Sequence, residues 1–135
     1  MVLGCGESSS GPCEAGEVPC DGVCIPEIEP ILADIQASVF DISCTASSCH
    51  GTANPQENLE LSSAAVSDAN LIDVESEQVP GKNRVTPSDV PASYLFNKIT
   101  GEDIAPGTLR MPFGLIPLCD AKIAAVEEWI AAGAP

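Results

Sequence analysis

Apolar residues recur at helical spacing in three places along the 135-residue chain. Ile31, Ile35 and Val39 fall at i, i+4 and i+8 with Leu32 alongside, which predicts a helix face running to about Phe40. Its start is marked by Pro26-Glu27-Ile28-Glu29-Pro30, where prolines and acids suit a first turn. Tyr94, Leu95 and Ile99 give a shorter face between Ser93 and Thr100, stopped by Gly101. Ile123, Val126 and Ile130, with Trp129 at the flank, make a third stripe from a cap at Cys119 or Asp120 to Ala132, before Gly133. Residues 51–91 are polar and broken by Gly51, Pro55, Pro80, Gly81, Pro87 and Pro91. They predict loops with one or two short helical turns, from which Leu59, Leu61, Leu71 and Ile72 reach inward. Residues 102–118 read as a further loop.

The first 26 residues lack this periodicity. Ser8-Ser9-Ser10-Gly11-Pro12 is a flexible tether, and the segment Cys13 to Cys24 is too short to build a core without crosslinks. The chain therefore divides into a tether with a Cys-rich segment, 1–26, and a globular unit, 27–135. No internal repeat is present, and no run of ~18 apolar residues predicts a membrane span.

Composition adds two constraints. Aromatic residues make up only 4% of the chain, so large apolar groups for a core are scarce, and a buried cofactor would supply the missing bulk. The formal net charge is −15, from 20 acidic against five basic residues. Nucleic-acid binding and attraction to anionic membranes are excluded on that balance, because phosphate contacts need Lys and Arg. An acidic surface favours a basic protein partner, and it also maintains solubility.

Seven cysteines in so short a chain point away from the reducing cytosol. Cys44-Thr45-Ala46-Ser47-Ser48-Cys49-His50 places two of them before the single histidine. Cys-x-x-Cys-His is the pattern of covalent haem attachment; here the spacer has four residues. The alternative is a small disulfide loop beside a solvated histidine. Met111 is the only methionine besides Met1 and lies in Arg110-Met111-Pro112, where the proline stiffens the loop. It is either a gap-filling core residue or the second axial ligand of a His/Met iron. With Cys44 and Cys49 assigned to haem, five cysteines remain. Cys5 follows Val2-Leu3-Gly4, which looks like the end of a bacterial lipoprotein signal with a lipidated cysteine. Cys13, Cys20, Cys24 and Cys119 then form two disulfides, one of them tying the N-terminal block to Cys119 through a partner the sequence leaves open. A metal site built from Cys13, Cys20 and Cys24 lacks a second histidine or a matching cysteine pair.

Taken together, the residues resemble a class I c-type cytochrome domain over about 27–135. The resemblance is carried by Cys44…Cys49-His50-Gly51, Leu59-Glu60-Leu61, Arg84-Val85-Thr86-Pro87, Ser93-Tyr94-Leu95, Arg110-Met111-Pro112 and Trp129-Ile130-Ala131-Ala132-Gly133-Ala134-Pro135. It departs from the usual pattern in the four-residue spacer. The resemblance implies an all-α, cytochrome c-like fold, its first and last helices crossing near Phe40 and Trp129 around one covalent haem c, with long loops. It implies thioethers at Cys44 and Cys49, iron ligation by His50 and Met111, and a backbone carbonyl accepting from the other ring nitrogen of His50, with the loop near Asn54-Pro55 as its expected source. Arg84 and Arg110, with Ser93 and Tyr94, are the candidate donors to the haem propionates.

The implied function is single-electron transfer rather than enzymatic catalysis, to a redox partner with a basic docking surface, in an extracytoplasmic setting (periplasm or cell surface) and tethered through Cys5. The alternatives are a haem-based sensor or enzyme with a labile Met111, and a subunit that self-associates into a multi-copy electron conduit.

Overall fold

The computed structural model describes residues 12–135. Cys5 and most of the Ser8–Pro12 tether lie outside the described residues.

A two-residue turn organises the start of the described chain. Strands β1 (Glu17–Cys20) and β2 (Val23–Pro26) pair antiparallel, with Val18 opposite Ile25 and Cys20 opposite Val23. Asp21 and Gly22 join them with φ of 50° and 84°. Two positive φ values in a two-residue loop suit the right-handed twist of the strands, and Asp-Gly is a preferred pair for it. An isolated hairpin is marginal in water. This one is stapled twice, by Cys13–Cys24 from the segment before β1 to β2 and by Cys20–Cys119 to the C-terminal part of the chain. The two disulfides indicate oxidising, extracytoplasmic surroundings. The expected all-α class is thereby corrected: the fold is mixed, 34% helix and 10% strand. Turn chemistry together with crosslinks gives the N-terminal block regular structure that it could not hold by burial alone.

The first predicted helix begins later and is less regular than its periodicity implied. Helix α1 (Leu32–Ile35) runs into a π-helical turn, Gln36–Phe40, and a last α-turn, α2 (Asp41–Ser43). Ile31 is 44% exposed, whereas Leu32, Ile35, Val39 and Phe40 are buried. The π turn coincides with a buried Gln36. Its Nε2 donates to Leu61 O and Asp41 Oδ1, both at 2.7 Å, and its Oε1 accepts from Ser67 Oγ at 2.6 Å. A polar group in the helix interior is thus satisfied from two other segments, as burial demands.

Helix α3 (Ala64–Leu71) is capped by Ser63, whose Oγ accepts from Val66 N at 3.3 Å. Helix α4 (Tyr94–Thr100) ends at Gly101, which takes φ 79°. Helix α5 (Asp120–Ala131) lies against α1, α4 and β1. Trp129, expected at the flank of the α5 stripe, is fully buried in the last turn of the helix. Its indole Nε1 donates to Pro135 O at 2.8 Å, and the same carbonyl accepts from Leu32 N at 3.1 Å at the start of α1. Trp129, Phe40, Ile35, Leu61, Leu71 and Ile130 are the largest fully buried side chains. Among the described residues no helix is long and apolar enough to cross a membrane.

Candidate functional site

The segment that follows α2 folds back on itself. His50 N donates to Cys44 O at 3.0 Å and Cys49 N to Ala46 O at 2.8 Å, so the four-residue spacer closes as a turn. Gly51 sits under that turn: a Cβ there would lie 2.9 Å from Thr45 O, a backbone contact that cannot give way. The chain then returns through Glu57 and Asn58, both at positive φ (54° and 51°). This return brings Leu59 and Leu61 alongside His50. Leu61 N donates to His50 O at 2.8 Å, and His50 Nδ1 lies 2.7 Å from Leu59 O. The acceptor is therefore Leu59, and not the Asn54-Pro55 loop.

That contact decides the chemistry of the ring. A carbonyl only accepts, so Nδ1 carries the proton, and the neutral ring presents Nε2 as a free lone pair. Burial pushes the His50 pKa down, against the raising effect of the backbone bonds, and so favours the neutral ring.

His50 lines an open-mouthed cavity of about 80 Å³. The wall is mostly apolar, with Val39 and Phe40 from the π turn, Leu59, Leu61, and Leu71 and Ile99 from α3 and α4. Cys44 and Met111 line the same cavity, as do Arg84 and Tyr94. Five of the expected site residues thus meet in one place.

The other three stand outside the lining. Cys49 is half-buried next to His50, its sulfur 3.9 Å from Ser48 Oγ. Ser93 is fully buried, and its hydroxyl holds the turn before α4, accepting from Thr86 N at 2.9 Å and donating to Asp89 O at 2.8 Å. Arg110 Nε donates to Ile99 O at 3.0 Å, and its Cδ packs 3.0 Å from where a Cβ on Gly101 would sit.

Arg84 is buried on the segment that bridges back to 71–75, and it gives NH1 to Asn70 O at 2.9 Å and NH2 to Glu57 O at 2.8 Å. Burial lowers its pKa, while Glu77 and Glu57 oppose that shift. Tyr94 OH accepts from Ala105 N at 3.0 Å and donates to Gln78 Oε1 at 3.2 Å.

Sequence reasoning missed Lys98, a buried cation on the cavity wall. A signal was available, because Lys98 lies at i+4 from Tyr94 on the apolar face of α4, where a charge is out of place. Leu59 was read only as an apolar side chain, although its carbonyl orients His50.

Among the described cysteines four are paired and two, Cys44 and Cys49, are free. Burial first, and then the neighbouring Cys49, push the Cys44 thiol from 9.0 to about 12, with Lys122 opposing. Three units correspond to about a thousandfold less thiolate at a given mildly alkaline pH. In the folded chain with both thiols free, alkylation of Cys44 at pH 8 is expected to be slower than in the unfolded chain by about that factor. Peptide mass spectrometry reads it, and equal rates in the two states would contradict the burial.

No protein-family model, no curated protein and no solved structure matches this chain.

Proposed function

We propose that the cavity holds one haem c, attached through Cys44 and Cys49 with His50 and Met111 as axial ligands, and that the protein carries single electrons. The observation that carries this reading is the His50 Nδ1 contact with Leu59 O, which leaves Nε2 as an iron ligand facing no competing proton. Three features support it. The wall of the cavity is mostly apolar, as a haem face requires. A methionine, the usual partner of such a histidine, lines the same cavity. Two thiols stay unpaired in a chain whose other described cysteines are all disulfide-bonded. This is the ligand set implied by the resemblance to c-type cytochromes, and it rests on the site rather than on the fold.

When bound, the haem supplies a reversible one-electron Fe(III)/Fe(II) couple. His50 and Met111 would both hold the iron and leave it no place for a substrate, which favours a carrier over an enzyme. Arg84 spends two of its five N–H donors on Asn70 and Glu57, so donors remain for a propionate. The net charge of −15 selects a partner with a basic docking face. A lipid on Cys5 would hold this carrier at a membrane surface, in the periplasm or outside the cell.

The test is an intact mass of the mature protein under denaturing conditions, with an optical spectrum of the native one. Apart from the lipid on Cys5, the mass is expected to exceed that of the disulfide-bonded polypeptide by one haem. The ferric spectrum is expected to show the long-wavelength sulfur-to-iron charge-transfer band. A mass equal to the polypeptide alone would remove haem from the reading. Haem without the sulfur band would remove Met111 and favour a sensor or enzyme.

A further inference from the structure

We infer that Lys98 is the positioning residue for Met111: it grips the 109–111 segment at two points and sets how firmly the thioether is held against the cavity. The inference deepens the haem reading and rests on Met111 being a ligand.

Helix α4 ends at Gly101, so its last carbonyls have no helical partner. The 109–111 segment uses them. Met111 N donates to Lys98 O at 2.8 Å, and Arg110 Nε donates to Ile99 O at 3.0 Å. Lys98 then reaches back along the segment, where its Nζ donates to Leu109 O at 2.6 Å. One residue therefore holds the chain on both sides of Arg110, immediately before the sulfur-bearing side chain. Lys98 is only 8% exposed, and a buried ammonium is retained only when its hydrogen bonds are made. The Tyr94 ring, 6.0 Å from Nζ, adds a weak cation–π contact.

Burial does not replace this grip. Leu109 is 55% exposed, and Phe113, Leu115 and Ile116 are also exposed, so apolar contacts do little to anchor the segment around Met111. Hydrogen bonds to the end of α4 are left to locate it. A bond from an ammonium is stronger than a neutral one, and its loss should be felt at the ligand.

The experiment compares wild-type holoprotein with Lys98→Met, which keeps the length of the stem without the donor, and with Lys98→Arg, which keeps a donor. Carbon monoxide competes with the methionine sulfur for ferrous iron, so its affinity reports how readily Met111 lets go. Lys98→Met is expected to raise that affinity about tenfold or more and to lose the sulfur-to-iron band at lower denaturant concentration than the helices unfold. Lys98→Arg is expected to restore most of both. Wild-type affinity and band stability in Lys98→Met would overturn the positioning role. Absence of the band from wild type would instead overturn Met111 ligation, and with it this role.

If Lys98→Met does not fold, hydrogen exchange on the wild-type chain decides. Met111 N–H is expected to be protected to the level of the α4 amides, and exchange as fast as in the 102–108 loop would overturn the grip.

Discussion

Replacing both Cys20 and Cys119 with alanine is expected to destabilise the protein by about 4–5 kcal/mol. The bridge joins residues 99 apart, and the chain-entropy cost of closing a loop grows with its length, to about 4.7 kcal/mol for ~100 residues. The second bridge is the internal control. Cys13–Cys24 spans 11 residues and closes only the hairpin, so its double alanine variant is expected to lose about 3 kcal/mol at most. Denaturant unfolding of the two variants, under conditions that keep the remaining bridge oxidised, measures the difference. Equal losses would show that the long bridge acts by local packing rather than by restraining the unfolded chain. The long bridge also bears on the proposed site, because Cys119 stands at the N-cap of α5 and ends the loop that carries Met111. Its loss should loosen that loop from the C-terminal side, opposite the hold of Lys98.

Arg84→Met is expected to cost about 3–5 kcal/mol, more than most surface changes by a wide margin. The guanidinium is buried and bonded to two carbonyls, Asn70 O and Glu57 O. Methionine fills similar space but leaves both carbonyls without that donor, and hydrogen bonds to a charged group are worth about 1.5–3 kcal/mol each. The site should respond as well. Glu57 lies two residues before Leu59, whose carbonyl orients His50. Releasing Glu57 removes the support of that carbonyl, so the environment of His50 should change in the folded variant. Urea unfolding gives the stability, and on the proposed haem reading the ferric spectrum gives the environment of His50. A variant within about 1 kcal/mol of wild type, with an unaltered spectrum, would show that the two bonds are dispensable.

The helices with strong local signals were the most legible. The α5 stripe and the Gly101 stop of α4 needed only a 3.6-residue period and a residue that tolerates positive φ. The α1 face was read with Ile31 pointing inward, because the periodicity assumed one regular helix; the π turn at Gln36–Phe40 and the later start at Leu32 shift which residues are buried. The hairpin was missed although Asp21-Gly22 is a strong turn pair between alternating residues. The segment Cys13 to Cys24 is too short to build a core by itself, and of the two crosslinks that sustain the strands one is internal and the other reaches Cys119.

At the site, the residues with distinctive chemistry were legible: Cys44, His50 and Met111 converge on one cavity. The supports were not. Leu59 O, Lys98 and the capture of Arg84 by Asn70 and Glu57 depend on how loops return through space, which no local period encodes. Ser93 shows the opposite error. A hydroxyl beside a predicted helix start was assigned to a cofactor, yet it bonds the backbone of its own turn.

Gly51 has φ outside the left-handed region, so its need for glycine is steric and not conformational. The obstruction is Thr45 O, 2.9 Å from any added Cβ, and Thr45 belongs to the spacer between the two thiols. Spacer length and the residue at 51 are therefore not independent variables. A spacer of another length would move that carbonyl and change which residues fit at 51, while a larger residue at 51 would force the spacer to open. Changes at these two places should be strongly non-additive, and a variant that alters both together can be better tolerated than either change alone.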